Sequence, residues 1–508
     1  MRKWLPLVAV CLGNFMLLLD VTVVNVALPD VAADLDTGFG SLQWVVDGYT
    51  LVLAALVLAA GSVADVFGHR RSYLAGLGAF ALSSLASAWA PTVGALVAAR
   101  AVQGAGGAAM LATSFALLNT SYAARDRGIA YGVWGAVSGG ASAVGPIVGG
   151  LLTDAGSWRW VFLVNLPVSV LAVVLTALTI PRGSGRGRLA DLDLPGVVTF
   201  SAAAAALTAG LIAADEHGWS APGSRWPLVA APLLLIAFVV VERRSPRPLL
   251  DLSLLRRAPF VGVMAGAMLL TFAAFGTYPY LSLWLQSVAG LSAVQAGSAT
   301  VPLSATAFVV ALGAGRYLQR LGSGTVIGCG MLLVGAGGLV NAALVHGGAG
   351  WASMVPGFVV TGIGAGLATP TLGAAAAGSV PIERAGMAAG ALNTMRQLGL
   401  TFGIAVLGGV FASRVTDVLS GRGVADPAGV GRAVSGGQAR QVLDTLPESA
   451  RSAVEAAVRA AAVDGVQATF AVCGVAGLVA GVLVLALHRP RPSASAAVAD
   501  VAEEPSAA

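Results

Sequence analysis

The sequence predicts an all-α integral membrane protein whose fourteen transmembrane helices group as six, two and six. Three observations predict it. Only 10% of the 508 residues are Asp, Glu, Lys or Arg, while the mean hydropathy is +0.83. The apolar residues gather into fourteen runs, most near the roughly 20 residues that a helix needs to cross a hydrocarbon layer of ~30 Å. A set of residues also recurs at a fixed offset of 258 positions. A soluble chain of this size would form several domains, with about a quarter of its residues charged and spread over each surface. Lipid is therefore the solvent for most of this surface.

Runs bounded by charge, Gly or Pro place the spans in order. The first, 5–28, follows Met1-Arg2-Lys3; it is longer than a signal-peptide core of about 7–15 residues and contains Asp20, so it reads as a retained helix. The second and third, 42–63 and 73–90, flank a loop carrying Arg70 and Arg71. The fourth, fifth and sixth are 95–120, 129–153 and 160–180. A basic linker leads to the seventh and eighth, 194–214 and 227–241, and a run of arginines from Arg243 to Arg257 follows them. The ninth to fourteenth are 259–285, 293–314, 325–345, 352–378, 386–412 and 465–487.

Charge asymmetry orients these spans. With the N-terminus cytoplasmic, the cytoplasmic segments hold 19 Lys and Arg, whereas the short outside loops hold Arg159 and Arg225. That is the pattern of positive-inside sorting, and an even number of spans returns the C-terminus to the cytoplasm. The basic residues are too dispersed for a nucleic-acid surface, so none is expected as a partner. Cys11, Cys329 and Cys473 each lie in an apolar run without metal-ligand spacing, so neither a disulfide framework nor a metal site is predicted. Lys3 is the lone lysine, a bias that with the Ala, Gly and Val abundance suggests a GC-rich, actinobacterial source.

Gly104, Gly106, Thr113, Gly128, Ala130, Gly132, Gly145 and Gly150 match Gly362, Gly364, Thr371, Gly386, Ala388, Gly390, Gly403 and Gly408 in register. This duplication aligns spans one to six with nine to fourteen. It divides the chain into an N-terminal half at 1–180, two inserted helices at 181–258, a C-terminal half at 259–488 and a disordered tail at 489–508. Two repeated halves suit alternating access to a central site. The outside segment 413–464 is expected to hold a short helix on the outer rim, starting near Pro447 and Glu448 and packing through Val454 and Val458.

A charge in a helix core costs at least ~2.5–3.5 kcal/mol, so each one needs a partner, a cavity or a function. Four fall within the predicted spans: Asp20, Asp47, Arg100 and Arg396. Asp20 and Asp47 are candidate proton carriers, since desolvation raises a carboxylate's pKa and a nearby arginine lowers it. Asp20 could instead bond Thr22, Asn25 or a backbone group. Arg100, with Gln103, Gly104 and Gly106 after it, reads as protein-facing, and Arg396 could pair with either aspartate or bind an anionic substrate group. Spans nine to fourteen hold no carboxylate. Trp44, Tyr49, Phe275, Tyr278, Tyr280, Trp284 and Phe308 are candidates for an aromatic cavity, and Tyr278 occupies the repeat position of Asp20.

Five ordered motifs resemble the fourteen-helix drug:proton antiporter branch of the major facilitator superfamily. They are Leu19 to Pro29 around Asp20; Gly61 to Arg71 with Asp65, Gly68, Arg70 and Arg71; Leu96 to Gly106 with Arg100; Gly132 to Gly150 with Gly145, Pro146 and Gly149; and Trp158 to Pro167. The resemblance implies the major facilitator fold, a proton-transfer role for Arg100, and an antiporter motif in the fifth helix. Ala141 and Val66 depart from the usual glycine and arginine, and the Asp65 loop has no clear second-half copy. Dication exporters of this branch carry second-half membrane carboxylates that this chain lacks.

The expected function is proton-coupled export of a hydrophobic or amphipathic drug by a monomer in the cell membrane, driven by the proton gradient without a cofactor. Asp20, Asp47 and Arg100 would couple protons; Trp44, Tyr49, Tyr278, Trp284 and Arg396 would contact substrate. Asp65, Gly68, Arg70, Arg71, Gly145, Pro146 and Gly149 would serve gating. Asp65 could cap backbone amides or pair with a loop arginine, and Gly145-Pro146 could bend its helix. A symporter on the same fold is the alternative, opposed by the fifth-helix motif. An intramembrane enzyme would need paired catalytic groups at membrane depth, and His69, His217, His346 and His488 all fall in loops or at helix ends.

Overall fold

A computed structural model describes residues 2–37, 39–154, 156–182, 187, 191–219, 221–291, 293–314, 321–346, 350–381, 384–435 and 448–488. The first group of helices is α1 (Leu5–Asp34), α2 (Phe39–Phe67), α3 (His69–Ala88), α4 (Val93–Ser121), α5 (Ala124–Asp154), the one-turn α6 (Trp160–Leu163) and α7 (Asn165–Thr179). A hairpin of α8 (Leu194–His217) and α9 (Pro222–Arg244) follows. The second group is α10 (Ala258–Phe275), α11 (Tyr278–Leu283), α12 (Ala293–Ser298), α13 (Val301–Ala314), α14 (Ser323–Leu344), α15 (Val355–Gly378), α16 (Ala385–Gly421), α17 (Pro427–Ser435) and α18 (Glu448–Leu487).

Every predicted span falls on helix. Among the described residues, twelve helical stretches are long and apolar enough to cross a membrane, and α3 and α5 are not among them. Both nevertheless turn apolar side chains outward, with Leu82 70% and Leu151 65% exposed, while α3 buries Ser72, Ser83, Ser84 and Ser87. Bare apolar surface continues around the molecule at Leu178 and on α9 at Trp226 and Leu233. Such a girdle requires lipid.

Three predicted segments differ in detail. The ninth span breaks at Gly276–Thr277, where Pro279 has no amide to donate, and resumes as α11 and a π turn, Trp284–Val288. The tenth breaks before Pro302 into α12 and α13. In segment 413–464, α16 runs on to Gly421, α17 follows, and α18 is a continuous 40-residue helix from Glu448, so the short helix expected near Pro447 is the beginning of the last span's own helix. Val415, Leu419, Val434 and Val458 are buried together there, with Val454 packed against them. Thr445 to Pro447, Arg186 and the tail at 489–508 lie outside the described residues. Glu242, one residue past the predicted eighth span, occupies the last turn of α9; it is buried and accepts the amides of Leu249 and Leu250, both at 3.2 Å.

The repeat is visible in the packing. A Cβ on Gly104 would strike the Tyr49 carbonyl of α2, and one on Gly362 the Leu303 carbonyl of α13. Gly106 meets Gly76 and Phe80 of α3 as Gly364 meets Gly330 and Val334 of α14. Across the groups, Gly132 of α5 faces Ala311 of α13 while Gly390 of α16 faces Val57 and Leu58 of α2, the exchange expected of a pseudo-twofold. Gly106→Ala is expected to destabilise the protein by about 1–3 kcal/mol, because its Cβ would lie 2.8 Å from the Phe80 amide nitrogen. Gly94→Ala, with open space around it, is the control on the same helix, and thermal unfolding in detergent compares the two.

Helices α8 and α9 pack on each other, and α8 lies on both α2 and α16. The contacts of α2 with α16 at Gly61 and Gly386, of α5 with α13 at Gly132, and of α4 with α15 at Phe115 and Gly373 all sit toward the end that carries Arg70, Arg71 and Arg384. The two groups are closed against each other there.

Candidate functional site

Asp20 lies about halfway along α1, within a mostly apolar stretch of that helix. On α4, Arg100 and Gln103 are three residues apart and so share a face. Arg100 Nη1 donates to Asp20 Oδ2 and, at 2.6 Å, to Gln103 Oε1. Gln103 Nε2 donates to Asp20 Oδ1 at 3.0 Å and to Ser84 Oγ of α3 at 2.8 Å. Asn165, at the start of α7, donates to Asp20 Oδ1 at 2.9 Å. Arg100 Nε donates to the Val45 carbonyl at 3.0 Å, and its guanidinium stacks 4.3 Å from the Tyr49 ring centroid. Asp20, Arg100, Gln103, Asn165, Ser84 and Tyr49 are all buried at 1% exposure or less.

Thr22 and Asn25 do not serve Asp20. They bond their own helix, at the Leu18 and Leu19 carbonyls and at the Val21 carbonyl respectively. Asp47 is half-buried on α2. The network is a closed, charge-assisted cluster tying α1, α2, α3, α4 and α7 together, with Arg100 Nη2, Asn165 Oδ1 and Tyr49 Oη left unpartnered among the described residues.

Arg396 occupies a different place. Its guanidinium lies 5.9 Å from the ring centroids of both Phe115 on α4 and Trp134 on α5. Those rings are 4.5 Å apart, and Tyr131 is 5.4 Å from Phe115. The side chain is partly exposed, its Nε is shielded without a hydrogen-bond partner, and no carboxylate pairs with it among the described residues. The pairing with Asp20 considered from sequence is therefore not formed, because Arg100 holds that carboxylate.

The other predicted substrate residues are not gathered around Arg396. Trp44 is 48% exposed, and Tyr49 belongs to the Asp20 network. Trp284 is buried, with Tyr278 packed beside it, in the apolar cluster of α11, α16 and α18. Tyr278 meets Phe275 edge-on at 5.6 Å.

At the closed end, Asp65 in the last turn of α2 accepts the Gly386 amide at 2.7 Å and the Met387 amide at 2.8 Å. These are orphan donors at the positive end of the α16 dipole, a favourable site for a carboxylate. Of the two roles open from sequence, Asp65 takes the amide cap. Gly68 turns the chain into α3 with φ +98°, a region that favours glycine. Arg70 donates to the Ala177 carbonyl at 2.7 Å, and exposed Arg71 borders a groove between α2, α3, α4 and Val197 of α8. Arg384, just before α16, pairs with Asp251 at 2.9 Å; the Ser253 hydroxyl and that arginine hold the Asp251 carboxyl below its usual range.

The Major Facilitator Superfamily profile matches residues 10–404. The chain belongs to this superfamily. It is similar to the "Multidrug resistance protein Stp" of Mycobacterium tuberculosis, at 35% identity over 83% of this chain and 79% of that one. It is also similar to the "Tetracenomycin C resistance and export protein" of Streptomyces glaucescens, at 32% identity over 97% of this chain and 93% of that one. Among solved structures, the human organic anion transporter MFSD10 shares the fold with a TM-score of 0.62 and 17% identity, over 95% of this chain and 99% of that one. The protein is thus a multi-pass membrane transporter and not an enzyme.

In this major facilitator protein the fifth-helix motif packs against the helix that bears Asp20. A Cβ on Gly145 would collide with Thr22, and one on Gly149 would press on Val23 and Val26 of α1. Helix α5 is continuous through Gly145 and Pro146. On the opposite rim, Asp34 accepts from Arg159 at 2.7 Å and from Trp158 at 3.1 Å, and these bonds hold its carboxyl below the usual range. Sequence reasoning did not single out Ser84, Phe115 or Trp134. Asn165 sits in a quoted motif, but Ser84 is one of several serines on α3 and nothing local distinguishes it.

Proposed function

We propose that this major facilitator protein exports a hydrophobic or amphipathic drug or antibiotic from the cell in exchange for protons, by alternating access. The observation that carries the reading is the fully buried Asp20–Arg100 pair at membrane depth, with amide side chains already poised around it. The names of the relatives support drug export. With α3 and α5 included the chain spans fourteen times in this reading, so both termini share one side, the cytoplasmic one by the arginine asymmetry. The six-helix halves are 1–180 and 259–488, and 181–258 is the inserted pair.

In that orientation the closed end is cytoplasmic and the site opens outward. A proton arriving from outside neutralises Asp20, which weakens its hold on Arg100 and lets Gln103 and Asn165 exchange partners. The substrate leaves in this state. Release of the Asp65 latch then opens the inner face, Arg100 favours the ionised carboxylate again, and the proton departs to the cytoplasm. Asp47 is a second candidate carrier, and Gly145 and Gly149 let α5 slide closely against α1. Everted membrane vesicles made acid inside are expected to accumulate exported drug. Asp20→Asn is expected to abolish the proton-driven component while the protein still inserts. Wild-type, gradient-dependent uptake by Asp20→Asn would refute coupling through this residue.

A further inference from the structure

We infer that the transported substrate is an anion, a planar aromatic compound bearing a carboxylate or phenolate, held by Arg396 with Phe115 and Trp134. The inference rests on the export reading above and names its substrate class. A guanidinium stays protonated, and this partly exposed one, its Nε shielded without an acceptor, has its charge available to a counter-ion. The same half offers little, since the sequence from 252 to 416 contains Glu383 as its sole acidic residue, thirteen positions before Arg396 and outside the described residues. In the other half, Asp20 is held by Arg100 and Asp65 by the α16 amides. Aromatic faces at 5.9 Å attract the cation but do not neutralise it.

A second observation points the same way. The indole Nε1 of Trp134 is buried and has no acceptor among the described residues, as is true of Arg396 Nε. Two unpartnered donors beside one another, one of them charged, fit an anionic oxygen acceptor. The adjoining rings of Phe115, Trp134 and Tyr131 fit a flat apolar body attached to it. A cationic drug would meet an uncompensated positive charge at the same place. Export of an anion against an entering proton also moves charge, so the membrane potential drives it together with the pH gradient.

The test measures binding to the purified full-length protein by fluorescence anisotropy, with fluorescein as the anionic probe and ethidium as the planar cation. Wild type is expected to bind fluorescein, and Arg396→Gln to weaken it by about ten- to a hundredfold. Arg396→Lys should retain part of the affinity, and ethidium binding should be no weaker in Arg396→Gln. In wild type, which needs no mutation to fold, naphthoate should displace fluorescein while naphthamide and physiological chloride should not. The anionic class is overturned if wild type does not bind fluorescein, if Arg396→Gln leaves that binding unchanged, if both probes weaken equally, or if naphthamide or chloride displaces it as well as naphthoate does. Gradient-driven uptake of ethidium but not fluorescein into vesicles would overturn the class and leave export standing. Arg396-dependent fluorescein binding without gradient-driven uptake of any drug would do the reverse.

Discussion

Arg100→Ala is expected to abolish drug export and to destabilise the protein by about 3–5 kcal/mol, the cost of leaving a buried carboxylate without its partner. Asp20 would remain at 1% exposure with only the Gln103 and Asn165 amides to hold its charge. Arg100→Lys should recover little. One ammonium cannot bond Asp20 and Gln103, reach the Val45 carbonyl and stack on Tyr49 as the planar fork does. The double variant Asp20→Asn with Arg100→Gln removes both charges and should regain stability over Arg100→Ala without regaining transport. Thermal unfolding in detergent and uptake into everted vesicles separate the two effects. Wild-type unfolding and wild-type uptake in Arg100→Ala together would show that the pair is neither a structural nor a coupling element.

Asp65→Ala is expected to shift the molecule away from the state described here. The carboxylate makes two charge-assisted bonds to the first amides of α16, each worth about 1.5–3 kcal/mol. Their loss should lower the ratio of closed to open forms at that end by tenfold or more. Spin labels on α3 and α16 near the latch, in a background without Cys11, Cys329 and Cys473, should report longer and broader distances. His69→Ala is the contrasting variant. Its ring lies 3.6 Å from Asp65 but adds no bond to α16, so its distance distribution should stay near wild type. An unchanged distribution in Asp65→Ala would remove the latch from the transport cycle. Such a shift should slow turnover in either direction, because a transporter held toward one face exports poorly whichever face it is.

The sequence by itself determined the membrane class, the helical positions, the duplication and the superfamily, and it singled out Asp20, Arg100, Asp65 and Arg396. These follow from local quantities. Hydropathy over about 20 residues reports a bilayer span, and a charge in such a run is conspicuous against an apolar background. What only the tertiary structure decided is which groups meet. Arg100 reaches Asp20 across 80 positions and Asp65 reaches the Gly386 amide across 321, and nothing in either segment marks the other as its partner. Phe115 and Trp134 looked like ordinary apolar positions until α4 and α5 were seen to converge on Arg396. Segment 413–464 reads from sequence as holding one short rim helix, yet α16 and α18 extend into it from both sides on a buried face of Val415, Leu419 and Val458. Hydropathy sets how many helices enter the bilayer. Crossing angles, axial offsets and the closed end of the bundle set their contacts, and these depend on packing between distant segments that no single run of sequence encodes.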